Sequence, residues 1–121
     1  MLHYLHGPPG RGKTSRLLEV AATSAGGEYI DWREGEAYPL HVLTAPPVLC
    51  VDEVGNTPYA DWSAGHLHRA VLVRLACWRT TWLAGHSTID ELARHPHPDM
   101  RHLACLLREM PATLVALESD R

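Results

Sequence analysis

The chain has 121 residues, 45% of them hydrophobic, and a formal net charge of −3, which suits one domain (1–121) with a moderate core and leaves no room for a second. The acidic balance, with a pI near 6.3, argues against a broadly basic nucleic-acid surface. No apolar run approaches the ~20 residues of a membrane span, and Met1-Leu2-His3-Tyr4 lacks the charged and apolar regions of a signal peptide, so a cytoplasmic location, or host cytoplasm for a phage-encoded protein, is expected.

Leu2 to Leu5 is a short apolar run with the character of a buried strand. It leads into Gly7-Pro8-Pro9-Gly10-Arg11-Gly12-Lys13-Thr14, which fits G-x-x-x-x-G-K-[ST]. Lys13 is the only lysine among eleven Lys and Arg residues, so a compact ammonium is kept where a planar guanidinium would not serve. Glycines at 7, 10 and 12 let successive backbone N–H groups converge on a phosphate. The next segment, Thr14 to Ala25, reads as a helix with Leu17, Leu18, Ala21, Ala22 and Ala25 packed, and its amino end adds positive potential. Gly7, Pro8, Pro9, Gly10, Arg11, Gly12, Lys13, Thr14 and Ser15 are the expected nucleotide contacts. Within them Lys13 reaches the β- and γ-phosphates and the Thr14 hydroxyl ligates Mg²⁺. The alternative is a plain Gly/Pro-rich turn, which the strand before it and the helix after it disfavour.

Gly26-Gly27 stops that helix, and Tyr29-Ile30-Asp31-Trp32 is a plausible second strand. Arg33 to Pro47 is short, with a helical turn or two near Glu36 to Leu43 interrupted by Pro39. Val48-Leu49-Cys50-Val51-Asp52-Glu53 reads as a third strand buried on both faces, ending where ligands sit in open α/β sheets. Asp52 is then placed to hold the Mg²⁺ water shell and Glu53 to polarise an attacking water. Standing alone, the pair would be two solvated acids. Gly55-Asn56-Thr57-Pro58 signals a loop. Ser63 to Arg79 carries Leu67, Ala70, Val71, Leu75 and Trp78 at helical spacing, with Arg69, Arg74 and Arg79 fanned around the axis towards solvent.

Thr80 to Ala84 is β-rich and ends at Gly85-His86-Ser87. Thr88-Ile89-Asp90-Glu91 has capping-box spacing and opens a short helix that Pro96 and Pro98 end. Asp99 to Met110 places Leu103, Leu106, Leu107 and Met110 on one face. Pro111 breaks that helix, and Ala112 to Leu117 forms a fifth strand. The alternation predicts an α/β fold, a five-stranded, mainly parallel sheet covered by helices in a three-layer sandwich. Cys50, Cys77 and Cys105 lie in apolar stretches without C-x-x-C spacing and read as buried thiols. His66-Leu67-His68, or His95-Pro96-His97 with His102, lack zinc-finger and H-E-x-x-H spacing, so no transition metal is assigned.

The loop at Gly7 to Thr14 with Val51-Asp52-Glu53 resembles an AAA+ P-loop ATPase. From Val51-Asp52-Glu53-Val54-Gly55 through Gly85-His86-Ser87-Thr88-Ile89-Asp90-Glu91-Leu92 to Glu118-Ser119-Asp120-Arg121, the chain is similar to the DnaC/IstB-like branch of helicase loaders and transposon ATP-binding subunits. The first two motifs are specific and the downstream likeness is diffuse. The resemblance implies strand order 5-1-4-3-2, ATP and Mg²⁺ as cofactors, and a replication or transposition partner such as a helicase, in a homo-oligomer or mixed assembly. It also implies a polar sensor after the fourth strand, for which His86 and Ser87 are the candidates, with Ser87 alternatively a helix cap. An arginine finger is implied in the helix before the fifth strand. Cys105 falls at that position, with Arg101 and Arg108 to either side on one face. Relative to such loaders, an amino-terminal partner domain and a carboxyl-terminal helical lid are expected to be missing, with Arg121 where the lid would start.

The resulting expectation is an ATP-binding and ATP-hydrolysing helicase-loader type protein acting in DNA replication or transposition, with phage or mobile-element origin plausible. A small nucleotide or metabolite kinase is the alternative from another reaction class. It suits less well because the Asp-Glu pair favours activation of water. A nucleotide-dependent binding module with little turnover is the third.

Overall fold

A computed structural model of the chain describes residues 2–8, 12–32, 38–54, 61–109 and 112–116, with 61–64 and 112–116 as backbone. In order the elements are β1 (Leu2–His6), α1 (Lys13–Thr23), β2 (Gly27–Asp31), α2 (Leu40–Thr44), β3 (Val48–Asp52), α3 (Asp61–Ala76), β4 (Thr80–Gly85), α4 (Ile89–Leu92), α5 (Pro98–Glu109) and β5 (Ala112–Ala116). The strands run parallel in the order β2-β3-β4-β1-β5. No helix among the described residues is long and apolar enough to cross a membrane.

Strand alternation sorts the core into two layers. Leu5, Cys50 and Ala84 point to one face, where Leu17 of α1 covers them with Val20, Ala21, Tyr29, Val48 and Trp82 around the edge. Tyr4, Ile30, Leu49, Val51 and Leu83 point to the other, against Leu43 of α2, Leu67, Ala70 and Val71 of α3, Leu92 of α4 and Leu103 and Leu107 of α5. A strand buried on both faces reads as a continuous apolar run, and this is why Val48 to Val51 does.

Several boundaries differ from the sequence reading for local reasons. α1 stops at Thr23, two residues before Ala25, because Ser24 is already extended (φ −102°, ψ 135°) and its carbonyl accepts from the Gly27 N–H at 3.0 Å. Pro39 does not interrupt α2 but starts it: its carbonyl accepts from Val42 N–H and Leu43 N–H, and the missing proline N–H costs nothing at a helix start. α3 ends at Ala76 instead of Arg79, since Trp78 takes a left-handed conformation (φ 60°). Trp78 therefore leaves the packed face expected for it and is 90% exposed. The predicted loop at 55–58 lies outside the described residues, as do Met110 and Leu117 at the last element ends.

Several expectations about side chains are overturned: Leu18, expected on the packed side of α1, is 47% exposed, and Ala22 and Ala25 are exposed as well. Cys77 and Cys105 are exposed, and of the three thiols only Cys50 is buried. Arg74 is not on a solvated face but fully buried. Its Nε donates to Thr81 Oγ1 at 2.8 Å, Nη1 to the carbonyls of Leu43 (3.1 Å) and Pro46 (2.7 Å), and Nη2 to the carbonyl of Thr80 (2.7 Å). The guanidinium thus ties the end of α2 and the start of β4 to α3. Burial pulls its pKa down to about 10, aided by the nearby Arg79 charge, and it stays a cation.

Candidate functional site

Because the strands are parallel, the carboxyl ends of β1, β3 and β4 open on one rim, and the segments leaving them meet there. Gly12 caps α1 from the left-handed region (φ 84°, ψ 12°). A side chain there would meet no atom within 4 Å, so glycine is needed for conformation and not for space. Its carbonyl accepts from Arg16 N–H at 3.0 Å, which aims the first turn of α1 at the loop.

Lys13, the first residue of α1, is 5% exposed. Its Nζ donates to the carbonyls of Gly7 (2.6 Å) and Pro8 (2.8 Å). Burial lowers its pKa, and the charges of Asp52 and Glu53 oppose that shift. Thr14 Oγ1 donates to Asp52 Oδ2 at 2.5 Å, and Asp52 Oδ1 accepts from the Glu53 N–H at 2.9 Å. Thr14 and Asp52 thereby place two hard oxygen ligands side by side, a donor set that fits Mg²⁺.

Glu53 departs from strand geometry with φ 64°, an unfavourable state for a non-glycine residue costing on the order of 1 kcal/mol or more. The chain can turn there because Gly85 has no Cβ: one would lie 2.3 Å from the Val54 carbonyl. The Val54 N–H instead reaches the Ala84 carbonyl at 2.8 Å. The turn brings Glu53 Oε2 to 3.7 Å from His86 Nε2, with both side chains partly exposed.

Of the residues singled out in the sequence, Lys13, Thr14, Asp52, Glu53 and His86 share this rim. Ser15 is exposed in the first turn of α1. Pro9, Gly10 and Arg11 lie outside the described residues. Ser87 does not cap α4: Thr88 does, its Oγ1 accepting from Glu91 N–H while Glu91 accepts from Thr88 N–H. The Ser87 carbonyl accepts from the Tyr4 hydroxyl at 2.5 Å. Arg101 donates to the carbonyls of His95 (2.8 Å) and Pro96 (3.0 Å), and Arg108 pairs with Asp90. Within one chain, both arginines are thus engaged beside α4.

Tyr29 was not expected at the site. Its hydroxyl donates to Asp52 Oδ2 at 2.8 Å, and burial together with that carboxylate raises its pKa, so it remains a donor. The signal was register: Tyr29 pairs with Cys50, two residues before Asp52 and on the same sheet face. An open groove of about 390 Å³ beside β2 has Tyr29, Tyr38, Val42 and Pro46 in its wall. None of Lys13, Thr14, Asp52 or Glu53 lines it.

No protein-family model and no curated protein sequence matches the chain. Solved structures do. A replication initiator DnaA bound to AMPPCP and single-stranded DNA superposes with a TM-score of 0.75 at 16% identity, over 98% of this chain and 40% of that one. DnaI superposes with a TM-score of 0.70 at 20% identity, over 95% of this chain and 71% of that one. The DnaC helicase loader does so with a TM-score of 0.70 at 17% identity, over 96% of this chain and 77% of that one. The chain spans about 40% of the length of the DnaA structure. At these identities the likeness is one of fold, and this chain has the fold of DnaA, DnaI and DnaC.

Proposed function

We propose that the chain is an AAA+-like nucleotide-binding core that holds Mg²⁺-ATP at the rim of β1, β3 and β4 and hydrolyses it. The nucleotide would drive assembly with a replication partner of the helicase-loader kind. The observation that carries this reading is the buried Lys13 ammonium on the Gly7 and Pro8 carbonyls, beside the Thr14–Asp52 pair. Phosphate oxygens are the ligands for which a buried ammonium exchanges neutral acceptors for charged ones. A fold shared with a DnaA that carries AMPPCP, and with DnaI and DnaC, supports the replication setting.

Mg²⁺, held by Thr14 and through water by Asp52, would neutralise charge on the β- and γ-phosphates. Glu53 is the base: its carboxylate takes a proton from water as the water oxygen bonds to the γ-phosphorus and the bond to the β-phosphate oxygen breaks. His86, 3.7 Å from Glu53 Oε2, orients that carboxylate and serves as the polar sensor in place of Ser87.

The engaged state of Arg101 and Arg108 supports a second reading, a binding module with slow turnover. To act as a finger in a neighbouring subunit, either arginine must leave its present partners. Single-turnover assay of phosphate release separates the readings. Release to water that Glu53→Gln abolishes supports hydrolysis; transfer only to an added acceptor indicates a kinase; tight ATP binding with neither indicates the module. A mixture of Arg101→Ala or Arg108→Ala subunits with Glu53→Gln subunits recovers turnover if the finger acts between chains.

A further inference from the structure

We infer that α3 and α5 together form a transition-metal site, of the zinc class, from His68, Asp99 and His102. One ligand atom from each of the three lies within 4.8 Å of the others. His68 Nδ1 is already 3.2 Å from Asp99 Oδ1. Tetrahedral zinc, with Zn–N and Zn–O bonds of ~2.0–2.1 Å, spaces its ligand atoms roughly 3.3 Å apart. The imidazoles of His68 and His102 stand side by side, 5.5 Å between centroids and tilted by 45°. His102 is exposed, so its ring is free to swing the remaining distance.

Two imidazoles and one carboxylate suit zinc among the common divalent ions, because magnesium and calcium prefer all-oxygen shells. Such a set leaves a fourth position for water. Sequence spacing hid this arrangement. Asp99 and His102 stand three apart on α5 and so share a face, but His68 arrives from α3 by tertiary packing.

Gly65 supplies a separate observation. It lies one turn before His68 on α3, and a Cβ there would sit 3.2 Å from Asp99 Oδ2. Mid-helix glycine costs stability relative to alanine, and here it lets the carboxylate approach the helix. His97 holds the backbone of the same residue: its Nδ1 accepts from the Asp99 N–H at 3.2 Å.

The test is a titration of the intact chain with Zn²⁺ in competition with a chromophoric chelator, in the absence of nucleotide, with Co²⁺ absorption as a coordination readout. One equivalent is expected to bind. His68→Ala and His102→Ala should each weaken it by ~10-fold or more, as loss of groups that hold a metal does, and Gly65→Ala should weaken it by displacing Asp99. Because His102 is exposed, His102→Ala keeps the fold, and circular dichroism checks it. Cys105→Ser is the control, since Cys105 is an exposed thiol one turn along α5; it should leave the affinity unchanged. Failure to bind Zn²⁺, binding undiminished in His68→Ala and His102→Ala, or binding lost only in Cys105→Ser would each overturn the site.

Discussion

Among the described residues two cations are buried, Lys13 and Arg74, and they sit at opposite ends of the parallel sheet. Arg74, at the amino ends, spreads four hydrogen bonds over Thr81, Leu43, Pro46 and Thr80. Its planar fork is matched by fixed acceptors, so it has no need of an anionic ligand and works as a structural tie. Lys13, at the carboxyl ends, rests on two carbonyls of the very loop that carries it. Burial disfavours its charge while Asp52 and Glu53 support it, and a point charge resting on neutral carbonyls can exchange them for phosphate oxygens. The same act, burying a cation, thus builds rigidity at one end and, in the function proposed above, a phosphate site at the other.

The largest effect expected at the rim is on chemistry. Glu53→Gln should lower single-turnover phosphate release by ~10²–10⁴-fold, the range of a lost general base, while ATP affinity persists. Comparable loss of affinity would move Glu53 from catalysis to binding. At the other end, Arg74→Met should cost about 3–5 kcal/mol of unfolding free energy, because buried acceptors lose their donor. Urea denaturation reads it. A loss below ~1 kcal/mol, the scale of one ordinary hydrogen bond, would show that water replaces the guanidinium and that the two cations are not so different. The smallest change is Tyr29→Phe, which removes one donor from Asp52 Oδ2. It should weaken Mg²⁺-dependent ATP binding by ~10-fold or less, about 1.4 kcal/mol at most, and leave Mg²⁺-free binding unaltered. Equal weakening with and without Mg²⁺ would place Tyr29's role in the loop instead of the metal side.

The asymmetry between the two ends also governs what the sequence disclosed. Local structure was legible: Gly12 and Lys13 at the start of α1, the apolar run ending in Asp52, and the Thr88–Glu91 capping box all depend on neighbours within a few residues. Strand identities followed from apolar runs bounded by Gly and Pro. Contacts made by packing were not legible. Arg74 looked like one of three arginines around a helix, because nothing at positions 69 to 79 announces acceptors at 43, 46 and 80. Tyr29 needed the β2–β3 register to become a neighbour of Asp52. Trp78 kept its helical spacing while its backbone left the helix. The nearness of His86 to Glu53 depends on Gly85, which lets the Glu53 turn lie against β4. In each case the deciding residue lies in another element, and periodicity within one segment carries no information about it.

Titration of a fluorescent ATP analogue into the wild-type chain and into Lys13→Ala, with Mg²⁺ and with folding verified by circular dichroism, tests the nucleotide site most directly. Removal of the charge-assisted contact, ~1.5–3 kcal/mol and hence roughly 10- to 150-fold in Kd, should leave Lys13→Ala a weak binder with a native fold. Equal affinity in the two proteins would contradict the phosphate role of Lys13 and the nucleotide site built around it.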